Sequence, residues 1–483
     1  MALLLLLGFP LLGGLLLALT GGRQWAAGLN ILVSTGTFVG SIWLTVRVMV
    51  NGSWITGSQE FFMDSFNVSL VVLTSFIGLT TALFSRSYMR VEQEHRHFNH
   101  RRLRLYYGMF QLFMFTMLLA LTTNNMGILW VAMEGATLTT VLLVSLYRTP
   151  ASIEAAWKYF ILCGVGIAQA LFGTILLYFA AEKVLGNVGI SALLWTHLNQ
   201  VKSRMEPTVL SLAFVFFLVG YGTKVGLVPL HNWLPDAHAE GPAPVSAVLS
   251  GLLLNVALYA VVRCKVLVDG SAYANLAPRL MMGFGLLSVT TAAFLLWRQK
   301  DIKRLFAYSS VEHMGIATFA FGLGGPIANF AALLQMTVHS LTKSSLFFTV
   351  GHAAQQAGTQ AIDRIRGLAS ASPSVGWGLM IGTLAILGMP PFGVFTSEFL
   401  IFITAMREQP WTTPILLIAL AVAFGAIFLR VQDMVFGETN LKPLSYTPAL
   451  LPVFTQLALV LLLGIYIPHD LAQWYRAAAK FIG

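Results

Sequence analysis

The chain is predicted to be an all-α polytopic membrane protein of about fourteen transmembrane helices. Three observations carry that expectation. Of the 483 residues, 57% are hydrophobic and only 10% are charged, and the mean hydropathy of +0.76 lies far outside the soluble globular range. Apolar runs close to the roughly 20 residues that cross a ~30 Å hydrocarbon core recur along the whole length. The loops between them are too short to fold as soluble domains, the longest lying near 181–206, so residues 1–483 read as a single membrane domain.

The N-terminal region, 1–104, holds runs at 2–20, 27–48 and 67–84 followed by a basic loop. The first run starts at Ala2 with no basic segment ahead of it and no small-residue cleavage site that stands out, so it reads as a retained span rather than a signal peptide. Runs at 108–123, 126–147, 157–180, 208–233 and 244–262 form a group of five within 105–265. A second group at 280–297, 303–323, 327–352, 376–405 and 412–430 occupies 278–432, and a last run at 448–467 precedes a short C-terminal tail.

Landmarks recur between the two groups. Glu134 and His313 are 179 residues apart, and Lys224 and Glu398 are 174 apart. A repeat of five helices, spans 4–8 and 9–13, forces the second copy into the membrane upside down. Spans 7 and 12 then correspond, and both carry breakers: Gly222, Gly226, Pro229 and Pro235 in one, Gly388–Gly393 (GMPPFG) in the other. One proline would signify a kink. Breaks at matched positions point to an ion site, because an unwound turn frees backbone groups at mid-depth.

The formal net charge of +10 does not indicate nucleic acid, because the basic residues sit in short loops rather than on one soluble face. Counted loop by loop, one side carries 17 of the 29, among them Arg86, Arg90, Arg96, Arg101, Arg102, Arg104, Lys303 and Arg304. The other carries 10, including Arg47, Arg263 and Lys265. Positive-inside logic puts the richer side in the cytoplasm and both termini outside, in a bacterial or archaeal cell membrane. Lys224 and Lys343 are left over, and both fall within spans. Cys163 and Cys264 have no clustered spacing, so the sequence offers no iron–sulfur or zinc site.

An ionisable group in hydrocarbon costs about 3 kcal/mol on insertion scales and needs a partner or a task. The candidates are Glu134 in span 5, Lys224 in span 7, Glu312 and His313 in span 10, His339 and Lys343 in span 11, and Glu398 beyond the break in span 12. Desolvation pushes buried lysines and carboxylates toward neutrality and an opposite charge pulls them back, which makes a Glu134/Lys224 pair switchable. His339 and Lys343, spaced i, i+4, share a helix face suited to a relay. Each has a plainer alternative: a structural salt bridge for Lys224, Glu134, Lys343 and Glu398, an interhelical hydrogen bond for the histidines, snorkelling or capping for Glu312. The stretch from His231 to His238, with Asp236, matches no standard zinc spacing and reads as a structured mouth to a proton path.

Gly222–His238 (GTKVGLVPLHNWLPDAH), continuing through Gly241–Pro244 (GPAP), closely resembles the signature of the antiporter-like subunits of respiratory complex I, multisubunit sodium/proton antiporters and membrane-bound hydrogenases. Tyr308–Gly315 (YSSVEHMG), His339–Lys343 (HSLTK) and Met389–Phe399 (MPPFGVFTSEF) extend the likeness over roughly 105–435. Val131–Thr137 (VAMEGAT), Leu142–Pro150 (LLVSLYRTP) and Ala156–Phe160 (AWKYF) look most like the hydrogenase-4 component F branch. The resemblance implies an inverted five-helix repeat, two broken helices and a lateral proton path through Glu134, Lys224 and Glu398. The span 8 lysine of many relatives is Asn255 here, which carries no proton charge. The expectation is that Lys343, with His313 and His339, takes over the centre of that path.

The function expected is proton translocation in a redox-driven assembly of the hydrogenase-4 or NADH:quinone oxidoreductase type. The chain would have no catalytic, cofactor or metal site of its own, and its partners would be other membrane-arm subunits and a soluble redox arm. A sodium/proton antiporter component is the first alternative. A membrane subunit energising another partner, such as inorganic-carbon uptake, is the second.

Overall fold

The computed structural model describes residues 2–95, 97–186, 189–438, 441–442 and 446–483; Arg96, counted above with the basic loop, lies outside them. Helices α1 (Ala2–Thr20) and α2 (Ala26–Asn51) lead through a short hairpin, Trp54–Ile55 antiparallel to Phe62–Met63, into α3 (Ser65–Glu94). Next come α4 (His100–Thr122), α5 (Met126–Val144), α6 (Pro150–Leu185), the short α7 (Trp195–Val201) and α8 (Pro207–Val225). The chain continues through α9 (Trp233–Glu240), α10 (Ala243–Val248), α11 (Leu254–Val268), α12 (Leu276–Leu296), α13 (Ile302–Leu323) and α14 (Gly325–Ala357). It ends with α15 (Leu368–Ala371), α16 (Pro373–Ile386), α17 (Gly393–Glu408), α18 (Thr412–Phe436), α19 (Leu451–Ile465) and α20 (His469–Ile482).

Ten helices among the described residues are long and apolar enough to cross a bilayer, and α19 with α20, bent by 78°, makes up to eleven. The long helices α13 and α14 are too polar to count among them. They are the two that carry Glu312, His313, His339 and Lys343. Their polar side chains face inward: Gln335, His339, Lys343, Ser344 and His352 are all buried. Large apolar side chains such as Leu4, Leu19, Trp157, Phe294 and Ile418 are exposed, as lipid-facing positions should be.

Local chemistry sets the helix starts. Asp64 accepts from the backbone N–H groups of Phe66 and Asn67 while Asn67 Oδ1 accepts from Asp64 N, a reciprocal cap on α3. Asn125 and Asp301 cap α5 and α13 by accepting from backbone N–H groups of the first turn, without the reciprocal bond, and Thr149 and Glu206 each precede a proline in the first turn of α6 and α8. Glycine allows two close crossings. A Cβ at Gly220 of α8 would sit 2.7 Å from Gly166 O on α6, and one at Gly285 of α12 would sit 2.7 Å from Gly315 O on α13. Small residues at a crossing let backbones approach where lipid supplies no hydrophobic drive between helices.

Between α10 and α11 the backbone widens into a π turn at Leu249–Leu253. Ser340 Oγ donates to Gly251 O at 2.6 Å, and Ser250 and Ser310 share a hydrogen bond at 2.8 Å, so partners on α13 and α14 satisfy part of this turn.

Candidate functional site

Both expected breaks are present. Helix α8 stops at Gly226, whose φ of +81° is a left-handed conformation that glycine adopts without strain, and α9 starts seven residues later at Trp233. Freed backbone groups find partners: Trp233 Nε1 donates to Thr223 O at 2.7 Å, and Val228 N donates to Ser288 Oγ at 2.9 Å. In the second half α16 stops at Ile386 and α17 resumes at Gly393.

Lys224 lies in the last turn before the first break and is fully buried. Its Nζ hydrogen-bonds Thr137 Oγ1 and sits 5.6 Å from the ring centroid of Tyr159. Thr137 Oγ1 lies 3.3 Å from Glu134 Oε2 and 3.2 Å from Met133 O, two acceptors for its one proton. The expected Glu134/Lys224 pair is therefore bridged by a hydroxyl, with no direct ion pair between them among the described residues. Glu134 itself is half-buried. Thr137, three residues along the same helix face, is a member the sequence reading missed.

The second cluster gathers the other five residues. His313 Nδ1 lies 3.0 Å from Gln335 Nε2 and 3.5 Å from Glu398 Oε1. Ser397 Oγ donates to Gln335 Oε1, which orients the amide. The His339 ring is 5.9 Å from that of His313, and neither His339 nitrogen has a hydrogen-bond partner among the described residues. Lys343 Nζ donates to Phe306 O at 3.0 Å, and the carboxylate it faces is Glu312. A cavity of about 360 Å³ reaches Glu312, His313 and Glu398 past Ile386, Leu387 and Phe424.

Gly388 in the second break has a φ of +66°, and a Cβ there would collide with Glu398 Oε2. Gly388→Ala combines backbone strain of about 1 kcal/mol or more with displacement of that carboxylate. We expect Gly388→Ala to lower any ion flux that depends on Glu398, measurably more than it lowers the unfolding temperature of the purified assembly.

The accessory positions divide. Asp236 pairs with Arg304 Nη2 at 2.7 Å and Lys158 Nζ at 3.3 Å, tying α9 to α13 and α6. His231 packs edge-on to Tyr308. His238 is fully buried against Phe347. Asn255 Nδ2 donates to Met336 O at 2.9 Å and Ser340 Oγ at 2.6 Å, so it joins α11 to α14 as neutral glue. No group of three His, Cys, Asp or Glu converges as a metal site among the described residues.

One sequence assignment needs correction. Arg263, Lys265 and Lys303, counted with the loops, are buried alongside Lys224 and Lys343. The run placed at 244–262 continues helically to Val268, carrying Arg263 inward to Asp64, with Nη1 2.8 Å from Oδ2 and Nη2 donating to Oδ1 at 2.9 Å. Lys265 is held by Asp269 at 2.5 Å.

Multiple apolar helices, two broken spans and ionisable groups buried beside each break define an antiporter-like membrane subunit. Residues 123–425 match the family described as NADH:quinone oxidoreductase/Mrp antiporter, TM, and the chain belongs to it. It is 48% identical over 468 residues to the hydrogenase-4 component F homolog of Methylacidiphilum infernorum (isolate V4), covering 97% of each chain. Its fold matches a chain of the membrane-bound sulfane sulfur reductase, an archaeal respiratory membrane complex, with a TM-score of 0.90 at 24% identity over 100% of this chain and 97% of that one. It also matches a chain of respiratory complex I from Thermus thermophilus, with a TM-score of 0.82 at 23% identity over the whole of both chains.

Proposed function

We propose that this chain conducts protons across the cell membrane as a membrane-arm subunit of a redox-driven assembly of the hydrogenase-4 or complex I type. The observation that carries the reading is the pairing of an acid with a base beside each break. In the first half Glu134 on α5 faces Lys224 on α8 through Thr137; in the second His313 on α13 faces Glu398 on α17 at 3.5 Å. The element order is kept and the charges are exchanged.

That pairing supports fourteen spans with an inverted repeat of spans 4–8 and 9–13, because corresponding helices also pack on one another in both halves. Helix α4 packs on α5 as α12 does on α13, and α6 on α8 as α14 does on α16. On this reading both termini face away from the cytoplasm, and the basic loops face in. Relatives of the hydrogenase-4 type favour a hydrogenase-like soluble arm as partner, since the likeness to the component F homolog covers nearly the full length.

Conduction follows from the groups themselves. Each can hold or release a proton: one hydroxyl joins Glu134 to Lys224 in the first cluster, and in the second His313 lies 3.5 Å from Glu398 while its ring is 5.9 Å from that of His339. Lys343, facing Glu312 and one helical turn from His339, stands where a charged relay between the halves is required, since Asn255 is committed to Met336 and Ser340.

The test is proton flux in vesicles carrying the complete assembly, driven by its electron donor. Proton uptake that follows electron transfer without sodium supports the proposal, and Lys343→Ala should cut it by about tenfold or more. Flux that requires sodium and persists without any redox partner assigns the chain to a sodium/proton antiporter instead.

A further inference from the structure

On the basic face, the turn between α1 and α2 and the adjoining ends of α3 and α4 enclose a cavity of about 500 Å³. Arg23, Arg86, Arg90 and His100 stand in its wall, and no carboxylate does among the described residues. The Glu92 cavity on the same face, about 320 Å³ beside Lys303, differs in having Glu92 and Glu240 in its wall. Arg23 and Arg86 make no ion pair among the described residues, and Arg90 reaches Glu94 only at 3.9 Å, with both side chains 63% exposed. Like charges gathered with so little compensation repel one another until an anion joins them.

Other polar groups in the same wall suit an anion. His100 Nδ1 lies 2.7 Å from Gly22 O; a carbonyl only accepts, so Nδ1 carries the proton and Nε2 is left without a partner among the described residues. Ser87 Oγ is buried with no hydrogen-bond partner among the described residues. Helix α2 begins with no side-chain cap from Trp25, so its first-turn N–H groups, beside Ala27 in the cavity wall, add partial positive charge. A merely solvated arginine face would need none of these.

An apolar strip leads into the cavity. Phe76, Leu79, Leu83, Arg86 and Arg90 follow at spacings of three and four along α3, so they share one face of that helix. Phe76 and Leu79 are partly exposed, and Leu83, itself in the cavity wall, is 36% exposed. Phe38 of α2 borders the strip, its ring centred 5.8 Å from that of Phe76. Trp25, exposed beside Arg23, sets the turn at the level of lipid head groups, where tryptophan is enriched. Apolar along the helix and basic at its end is the order of an anionic lipid laid against α3.

We propose that this cavity binds the head group of an anionic phospholipid, its phosphate held by Arg23, Arg86 and Arg90 and one acyl chain lying along Phe76, Leu79 and Leu83. Ser87 and His100 complete the hydrogen bonds to the phosphate. A free phosphate would meet the same arginines and leave the apolar strip uncovered. The bound lipid ties the α1–α2 turn to α3 and α4.

The experiment uses the complete assembly in detergent and two photoreactive lipids, a phosphatidylglycerol and a phosphatidylcholine with the same diazirine-bearing acyl chain. Mass spectrometry of the peptides reads labelling of residues 76–83. Phosphatidylglycerol should label this segment about tenfold or more over phosphatidylcholine. Each basic residue near an anionic head is worth about fivefold in affinity, so Arg86→Gln with Arg90→Gln should weaken the labelling by about 25-fold. Both arginines are exposed, which leaves the fold intact. Gln24→Glu, at an exposed position in the wall, sets a carboxylate against the arginines and should lower the labelling without removing them.

Equal labelling by the two lipids, labelling by neither, or labelling unchanged in both variants overturns the site. Loss of labelling to inorganic phosphate, at an ionic strength matched with sodium chloride, assigns the cavity to the free ion and overturns the lipid. If the double variant fails to assemble, Gln24→Glu decides alone.

Discussion

Replacing Lys224 with arginine should stop proton translocation while the assembly stays folded and continues to take up electrons. Arginine keeps the positive charge and a donor for Thr137, but its guanidinium does not release a proton in any accessible pH range. A structural salt bridge would survive that exchange; a proton carrier would not. Lys224→Ala should give the same loss by a different route, removing the amine altogether. Neither change should unfold the chain, since Thr137 retains Met133 O as an acceptor partner and Glu134 is only half-buried. The measurement is the ratio of protons moved to electrons transferred, for which we expect a fall of about 100-fold, the lower bound typical of losing a positioned acid or base. Normal pumping by Lys224→Arg would mean that charge alone suffices, and the lysine would cease to be a carrier.

The membrane class was legible because hydropathy is a bulk property that tertiary contacts do not overturn. The breaks were legible for a similar reason: Gly226 and Gly388 are written into the sequence where the backbone needs positive φ. Charges near span ends were harder. Arg263 and Lys303 follow or begin apolar runs, and a count of loop charges treats them as interfacial, yet tertiary partners draw both inward. Their partners, Asp64 and the Glu92 cavity, are 199 and about 210 residues away, beyond any local pattern. Thr137 and Gln335 were missed because hydroxyls and amides are common in helices and acquire meaning only from what they touch. The four side chains that make α13 and α14 the site of the second cluster also lower the hydropathy of those helices, which the sequence nevertheless reads as spans 10 and 11.

The Asp64–Arg263 pair supplies the second large effect, and it should be one of stability rather than transport. Arg263 is enclosed by aromatic rings, with Trp195, Tyr259, Phe66, Phe62 and Phe481 centred 4.6, 5.1, 5.3, 5.5 and 5.5 Å from its guanidinium carbon. That surround offers cation–π contact, and among the described residues the carboxylate paired with the guanidinium is Asp64, its counter-ion. Asp64 also caps α3, which gives the same side chain two tasks. Asp64→Ala leaves a buried guanidinium uncompensated, at about 3–5 kcal/mol, and removes a cap at about 1 kcal/mol. Asp64→Asn keeps a capping oxygen and loses the charge, so it should fall between the two. The double change Asp64→Ala with Arg263→Met should recover most of the loss, because an apolar side chain in an aromatic cage needs no partner. Thermal unfolding of the detergent-solubilised assembly reads all three. The pair holds α3, α11 and α20 together, and neither residue lies in the relay, so surviving Asp64→Ala complexes should pump at the parental ratio. An unchanged unfolding temperature for Asp64→Ala would mean that the rings alone hold the guanidinium; a lowered pumping ratio would place the pair on the proton path.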